Sequence, residues 1–159
     1  MNLLASGKLG GPVKINEVMS PNPVCCLPSD SAQEVARIMC DQNVGSIPVV
    51  MDQGSRKLVG MITDRDLCCS VIADGLDPKV TVIEKFMTLN PVTCRDAENI
   101  ENCERLMQEH QIRRIPILDA YDHVIGIVAQ ADLALRDKPE RVSKTVAEIS
   151  RSAKPSNAA

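Results

Sequence analysis

Apolar and polar positions follow the same course twice along the chain. From Val18 the order is "VMSPNPVCCLPSDSAQEVARIMCDQNVGSIPVV", and from Phe86 it is "FMTLNPVTCRDAENIENCERLMQEHQIRRIPIL". In each copy a short β-prone run, "VCCL" or "VTC", follows an Asn-Pro breaker. An amphipathic helix comes next. In copy one Ser31 and Glu34 form a capping box ahead of Ala32, Val35, Ala36 and Met39 at helical spacing. In copy two Asn99 takes the cap position, and Ile100, Cys103, Leu106 and Met107 form the stripe. "SIPVV" and "KLVGMI" then read as strands joined by a turn at "MDQGSR", echoed by "RIPIL", "DAYD" and "HVIGIV". The run "DRDLCCSVIADG" predicts a helix with Leu67, Cys68, Val71 and Ile72 on one face, ended by Gly75.

Residue by residue, Met19 matches Met87, Asn22-Pro23-Val24 matches Asn90-Pro91-Val92, Cys26 matches Cys94, and Ile47-Pro48 matches Ile115-Pro116, all 68 positions apart. The separation falls to 66 at Gly60 and Gly126, because the first inter-strand loop is two residues longer. Length change in a turn between matched elements is the mark of a duplicated unit. The expected class is α/β (α+β), with two units of order strand, helix, strand, strand, helix. Residues 13–75 form the first unit and 76–136 the second, with "LDPKVTV" as the link. Residues 1–12 read as a disordered tail. Residues 137–159 read as an extension in which "KTVAEIS" is one short helix before a second disordered tail. A unit of this size is marginal alone, so the copies are expected to pack together.

Composition narrows the function. Of 159 residues 44% are hydrophobic and 25% charged, the balance of a soluble globular protein. A net charge of −3 gives no general attraction to nucleic acid or anionic membrane. Tyr121 and Phe86 are the only aromatics, which disfavours base stacking on a single strand. The N-terminus lacks the long apolar region of a signal peptide and no stretch is long enough to span a bilayer, so the cytoplasm is the expected location. None of the seven cysteines forms a C-x-x-C pair. In a reducing compartment they read as small core residues, with a thiol sensor or metal site as the alternative at Cys25-Cys26 and Cys68-Cys69. There is no P-loop, no dinucleotide fingerprint, and no recognisable nucleophile or metal arrangement, so neither an enzyme nor a metal site is expected.

The candidate chemistry lies in "GMITDRD", Gly60 to Asp66, and its echo "GIVAQAD", Gly126 to Asp132. Thr63 at N-cap with Asp66 at N3 is an ordinary helix start. The same geometry is also suited to a ligand. Free backbone N–H groups and a hydroxyl donate to a phosphate, while an ionised carboxylate offers two acceptor oxygens to the hydroxyls of a ribose. Both readings stand. Arg113-Arg114 in "QIRRIPIL" adds positive charge that a solvated or salt-bridged strand end would also explain, and copy one has Gly45-Ser46 there, so the two copies are not equivalent.

The ordered set "MSPNPV", "VGSIPVV", "GMITDRDL", then "MTLNPV", "IRRIPIL", "GIVAQADL", resembles the CBS domain family, over about residues 14 to 136. With no catalytic domain attached, the chain is similar to the stand-alone bacterial tandem-CBS proteins. The resemblance implies two βαββα repeats packed sheet to sheet with pseudo-two-fold symmetry, usually as a homodimer. It also implies clefts between the repeats that bind adenosine-containing ligands: AMP, ADP, ATP, NADH or S-adenosylmethionine. By resemblance Thr63 and Asp66 contact phosphate or ribose, Val24, Cys25, Val44 and Met61 wall the adenine, and Arg113 and Arg114 face phosphates. Val44 and Met61 read equally as plain core. The matching set in copy two is Val92, Thr93, Ile112, Ile127 and Asp132, but Ala129 replaces the threonine. One lost hydroxyl hydrogen bond is worth about 0.5–1.5 kcal/mol, roughly two- to tenfold in affinity, so the second site is expected to be the weaker unless Gln130 or Thr93 substitutes.

The expected function is a non-catalytic sensor of adenine nucleotide whose repeats reorient on binding and are read by an unidentified regulated protein. The alternatives are an assembly protein with vestigial clefts and a thiol redox sensor.

Overall fold

The structure is a computed structural model that describes residues 11–136 and 139–151. Most of the residues expected to form the two disordered tails lie outside the described residues. A 3-10 turn at Ile15–Glu17 leads to β1 (Ser20–Pro21), α1 (Ala32–Gln42), β2 (Ser46–Val50) and β3 (Leu58–Thr63). The helix that follows begins as α2 (Asp64–Leu67) and widens into a π turn at Cys68–Ile72. Copy two repeats the order: a 3-10 turn at Ile83–Lys85, then β4 (Thr88–Leu89), β5 (Cys94–Arg95), α3 (Ile100–His110), β6 (Arg114–Leu118), β7 (Val124–Ala129) and α4 (Gln130–Arg136). The last helix, α5, spans Pro139–Ser150.

Two of the expected helix details change in three dimensions. Ser31 caps α1 as the sequence predicts, accepting from the Glu34 N–H at 3.2 Å while Glu34 accepts from the Ser31 N–H at 2.9 Å. Asn99 stands at the start of α3 without capping it, because Lys14 Nζ donates to its Oδ1 at 2.8 Å. After α2, Leu67 and Val71 are buried, but Cys68 is exposed and Ile72 is 73% exposed. The π turn fits an extra residue into the turn and so shifts the spacing, and the four positions do not share a face.

The hairpin of each copy pairs antiparallel, with Pro48 opposite Met61 in copy one and Pro116 opposite Ile127 in copy two. The strand that opens each copy crosses to the other. β1 pairs with β7, Ser20 opposite Ile127, while β4 pairs with β3, Thr88 opposite Met61. The sheets are therefore β1-β7-β6-β5 and β2-β3-β4, each built from both copies. The side chains go with the strands. Ile15 and Val18 are buried in the core of copy two, and Ile83 in that of copy one, with Phe86 and Met87 half-buried against it.

The exchange explains the glycine that opens each site motif. A Cβ on Gly60 would stand 2.8 Å from the Thr88 carbonyl oxygen and 3.1 Å from Met87 Sδ, and one on Gly126 would stand 3.0 Å from Met19 Cγ. Only a residue without a side chain lets the crossing arm lie this close.

A pseudo-two-fold axis is visible in residues that meet their own counterparts. Lys57 bridges His123, and Arg114 Nη1 donates to Ser46 Oγ at 3.2 Å. Around this axis Cys25, Val50, Leu118 and Val124 are buried together, with Leu27 and Leu58 against them. Arg56, at a left-handed φ of 55°, pins the seam by donating to the carbonyls of Pro23 at 2.7 Å and Val124 at 3.1 Å. α5 has a place only on copy two. Ile149 enters that core, Gln108 donates to Thr145 at 2.8 Å, and Arg141 pairs with Glu104 and, at 3.0 Å, with Glu101.

Because its added methyl meets backbone rather than a flexible side-chain end, Gly60→Ala is expected to destabilise the chain by about 1–3 kcal/mol. A lowered urea midpoint at unchanged m-value is the measurement that checks this.

Candidate ligand clefts

Copy one builds its motif as a closed box. Thr63, extended at φ −120°, ends β3 and caps α2. Its Oγ1 accepts from the Asp66 N–H at 3.1 Å, while its own N–H and hydroxyl donate to Asp66 Oδ2 at 2.9 and 2.7 Å. Among the described residues nothing donates to Asp66 Oδ1. The half-buried carboxylate thus spends one oxygen on the helix start and keeps the other free.

Copy two holds its aspartate differently. The Ala129 N–H donates to Asp132 Oδ2 at 2.7 Å, and Ser20 Oγ donates to Asp132 Oδ1 at 3.3 Å. Ser20 arrives on the crossing arm, 112 positions away in sequence. Its counterpart Thr88 reaches the same place beside Met61 but makes no hydrogen bond to Asp66 among the described residues. Ser20 was not picked out from sequence. The signal available was the hydroxyl that follows each matched methionine, at Met19-Ser20 and Met87-Thr88.

The arginine pair splits. Arg114 turns onto the axis, where its Nη1 and Asp64 Oδ2 lie 3.3 and 2.9 Å from the point a Cβ on Gly45 would occupy. Glycine at 45 leaves the room that both side chains occupy. Arg113 is exposed, and its carbonyl accepts from the Gln130 N–H at 2.9 Å, as Gly45 accepts from Asp64 at 3.0 Å.

Of the apolar candidates, Met61 and Ile127 flank the crossing arms. Val24 and Val44 are half-buried against the copy-one core, and Val92 and Ile112 against that of copy two. Thr93 is half-buried. Cys25 is buried in the seam, where its carbonyl accepts from Gln53 Nε2 at 3.0 Å. Two open concavities lie elsewhere, at the starts of the outer helices. One, of about 470 Å³, involves Lys14, Glu98, Asn102 and Arg105, and its image in copy one, about 330 Å³, involves Asp30, Glu34 and Arg37. Neither is lined by Thr63, Asp66 or Asp132.

The cysteines divide by burial: Cys25, Cys26, Cys94 and Cys103 are buried, and Cys40, Cys68 and Cys69 exposed. Burial, with Asp30 nearby, pushes the Cys26 thiol up to about 12. Burial also raises Cys25 against the pull of Arg56. The hydrogen bond to Cys94, added to burial, raises Cys103. No group of three or more His, Cys, Asp or Glu side chains among the described residues is placed to hold a metal ion. No helix among them is long and apolar enough to cross a membrane.

Two crossed repeats, each with an aspartate at the start of its last helix, define the architecture of a known family. The CBS domain model matches residues 15–72 and again 83–137, and the chain belongs to that family. It is 31% identical over 125 residues to Hypoxic response protein 1 of Mycobacterium tuberculosis, covering 78% of this chain and 84% of that one. A solved structure of Hypoxic Response Protein I with two coordinated zinc ions matches with a TM-score of 0.70 at 26% identity, covering 79% of this chain and all of that one. The CBS domain pair of protein MJ0100, in complex with 5′-methylthioadenosine and S-adenosyl-L-methionine, matches with a TM-score of 0.69 at 28% identity, over 79% of this chain and 95% of that one. CBSX2 from Arabidopsis thaliana in complex with AMP matches with a TM-score of 0.63 at 26% identity, over 87% and 99%.

Thr63→Ala removes a cap and is expected to lower stability by about 1 kcal/mol, with Thr63→Ser restoring it, as read from urea unfolding. A neutral thiol reagent applied to the native protein is expected to modify Cys40, Cys68 and Cys69 first, leaving the four buried thiols until unfolding, as mass spectrometry of timed samples would show.

Proposed function

We propose that the chain is a non-catalytic regulatory module. It binds an adenosine-containing ligand, with AMP, ADP or ATP ahead of NADH and S-adenosylmethionine, in clefts between its repeats, and an unidentified protein reads the resulting change. The observation that carries this reading is the state of Asp66. Its carboxylate is oriented by Thr63 through one oxygen, and the other is left to accept from a ribose hydroxyl. Orientation before binding removes a cost that the ligand would otherwise meet.

Three features add support. Arg114 on the axis and exposed Arg113 supply cationic charge for a phosphate. Met61 and Ile127, with half-buried Val24, Val44, Val92, Thr93 and Ile112, give an adenine ring apolar edges near the arms, and Cys25 lies further in at the seam. The MJ0100 and CBSX2 structures carry adenosine compounds on the same fold. Because each cleft borrows an arm from the other repeat, a ligand held there bears on both, which is the form a reorientation signal requires. The working unit is a homodimer.

A second reading, assembly without ligand, draws on copy two, where Ala129 replaces the threonine and both oxygens of Asp132 are engaged.

Calorimetry with AMP, ADP, ATP, NADH and S-adenosylmethionine separates them. Wild type is expected to bind at least one. Asp66→Ala is expected to lose about ten- to a hundredfold in affinity, as for a hydrogen bond to a charged group. Unchanged affinity in the variant removes Asp66 from the site, and silence from wild type across the panel, with a stable dimer in sedimentation, favours assembly.

A further inference from the structure

The two aspartates differ in one respect that the repeat does not predict: Asp66 Oδ1 is free, whereas Asp132 Oδ1 is taken by Ser20. We propose that Ser20 gates the second cleft, its hydroxyl occupying the carboxylate oxygen that a ribose hydroxyl would take. The inference rests on the nucleotide-binding reading above and assigns that site its internal competitor.

Chemistry supports a competitor rather than a lock. A serine hydroxyl donates to a carboxylate as a ribose hydroxyl does, so the two compete for Oδ1 on the side that the crossing arm covers. At 3.3 Å the contact is long for O–H···O, and Ser20 is exposed, so a ligand is able to displace it. The arm is tied at both ends. On one side Met19 lies over Gly126, and Val18 is buried in copy two. On the other, Asn22 donates to the Ile125 carbonyl at 2.9 Å and Pro23 accepts from Arg56 at the seam. Displacing the arm, rather than turning the Ser20 hydroxyl alone, therefore strains the segment that leads into copy one. Ligand entry at the second cleft becomes an event felt at the seam, and the first cleft, with no such hydroxyl on Asp66, fills first.

The test titrates AMP calorimetrically into wild type, Asp66→Ala, and Asp66→Ala combined with Ser20→Ala or Ser20→Thr. The Asp66→Ala background isolates the second cleft. Adding Ser20→Ala is expected to tighten AMP roughly two- to tenfold, the range for one hydrogen bond no longer in competition, while Ser20→Thr, which keeps the hydroxyl, changes nothing. A further Asp132→Ala is expected to cancel the gain. If wild type binds AMP but Ser20→Ala tightens nothing, the gate is overturned and the nucleotide reading stands. If neither wild type nor any Ser20→Ala variant binds AMP, the nucleotide reading fails for AMP and the gate falls with it.

Discussion

Everything in this molecule depends on the close passage of each arm over a glycine of the opposite repeat. β1 and β4 are two residues long, too short for backbone pairing alone to hold them. What holds them is the packing of Ile15 and Val18 in one core and of Ile83, Phe86 and Met87 in the other. That packing requires Met19 to lie on Gly126 and Met87 on Gly60. Each repeat completes the hydrophobic core of its partner. The marginal size of one unit is thereby overcome by exchange as well as by stacking.

On this symmetric frame the chain places unlike residues at matched positions, and each replacement has a local consequence. Ser46 and Arg114 meet on the axis as hydroxyl and guanidinium. Arg56 and Asp122 share a left-handed conformation, yet the first pins the seam while the second pairs with Arg95 at 2.6 Å. Thr63 closes its own box, whereas beside Ala129 the second aspartate takes its one hydroxyl contact from a serine of the other repeat. α5 covers α3 through Arg141, for which α1 offers Gln33 and Ala36 in place of Glu101 and Glu104. The result is a module with two similar clefts in different states.

Much of the fold was legible in the sequence. Capping boxes span four residues, hairpins are a few residues wide, and periodicity reports which face is buried, so α1, the hairpins and the Thr63–Asp66 box were all readable. The misses lie where a distant residue competes with a local rule. Asn99 occupies a cap position but accepts from Lys14, brought in by the arm. Cys68 and Ile72 fall off the buried face because a π turn breaks the 3.6-residue count. The burial of Cys25 among residues of both repeats is likewise beyond any local pattern.

The sequence by itself determined that the chain is one unit written twice, which elements each unit contains, and which of its two helix starts kept a threonine. Those are matters of order and spacing, encoded within a few residues of each other. Only the tertiary structure decided that the opening strands cross, that the motif glycines are there to admit them, and that Ser20 stands at Asp132. These follow from contacts 27 to 112 positions apart, from Met61 with Thr88 to Ser20 with Asp132. No local pattern carries them, because they arise only when one repeat folds against the other.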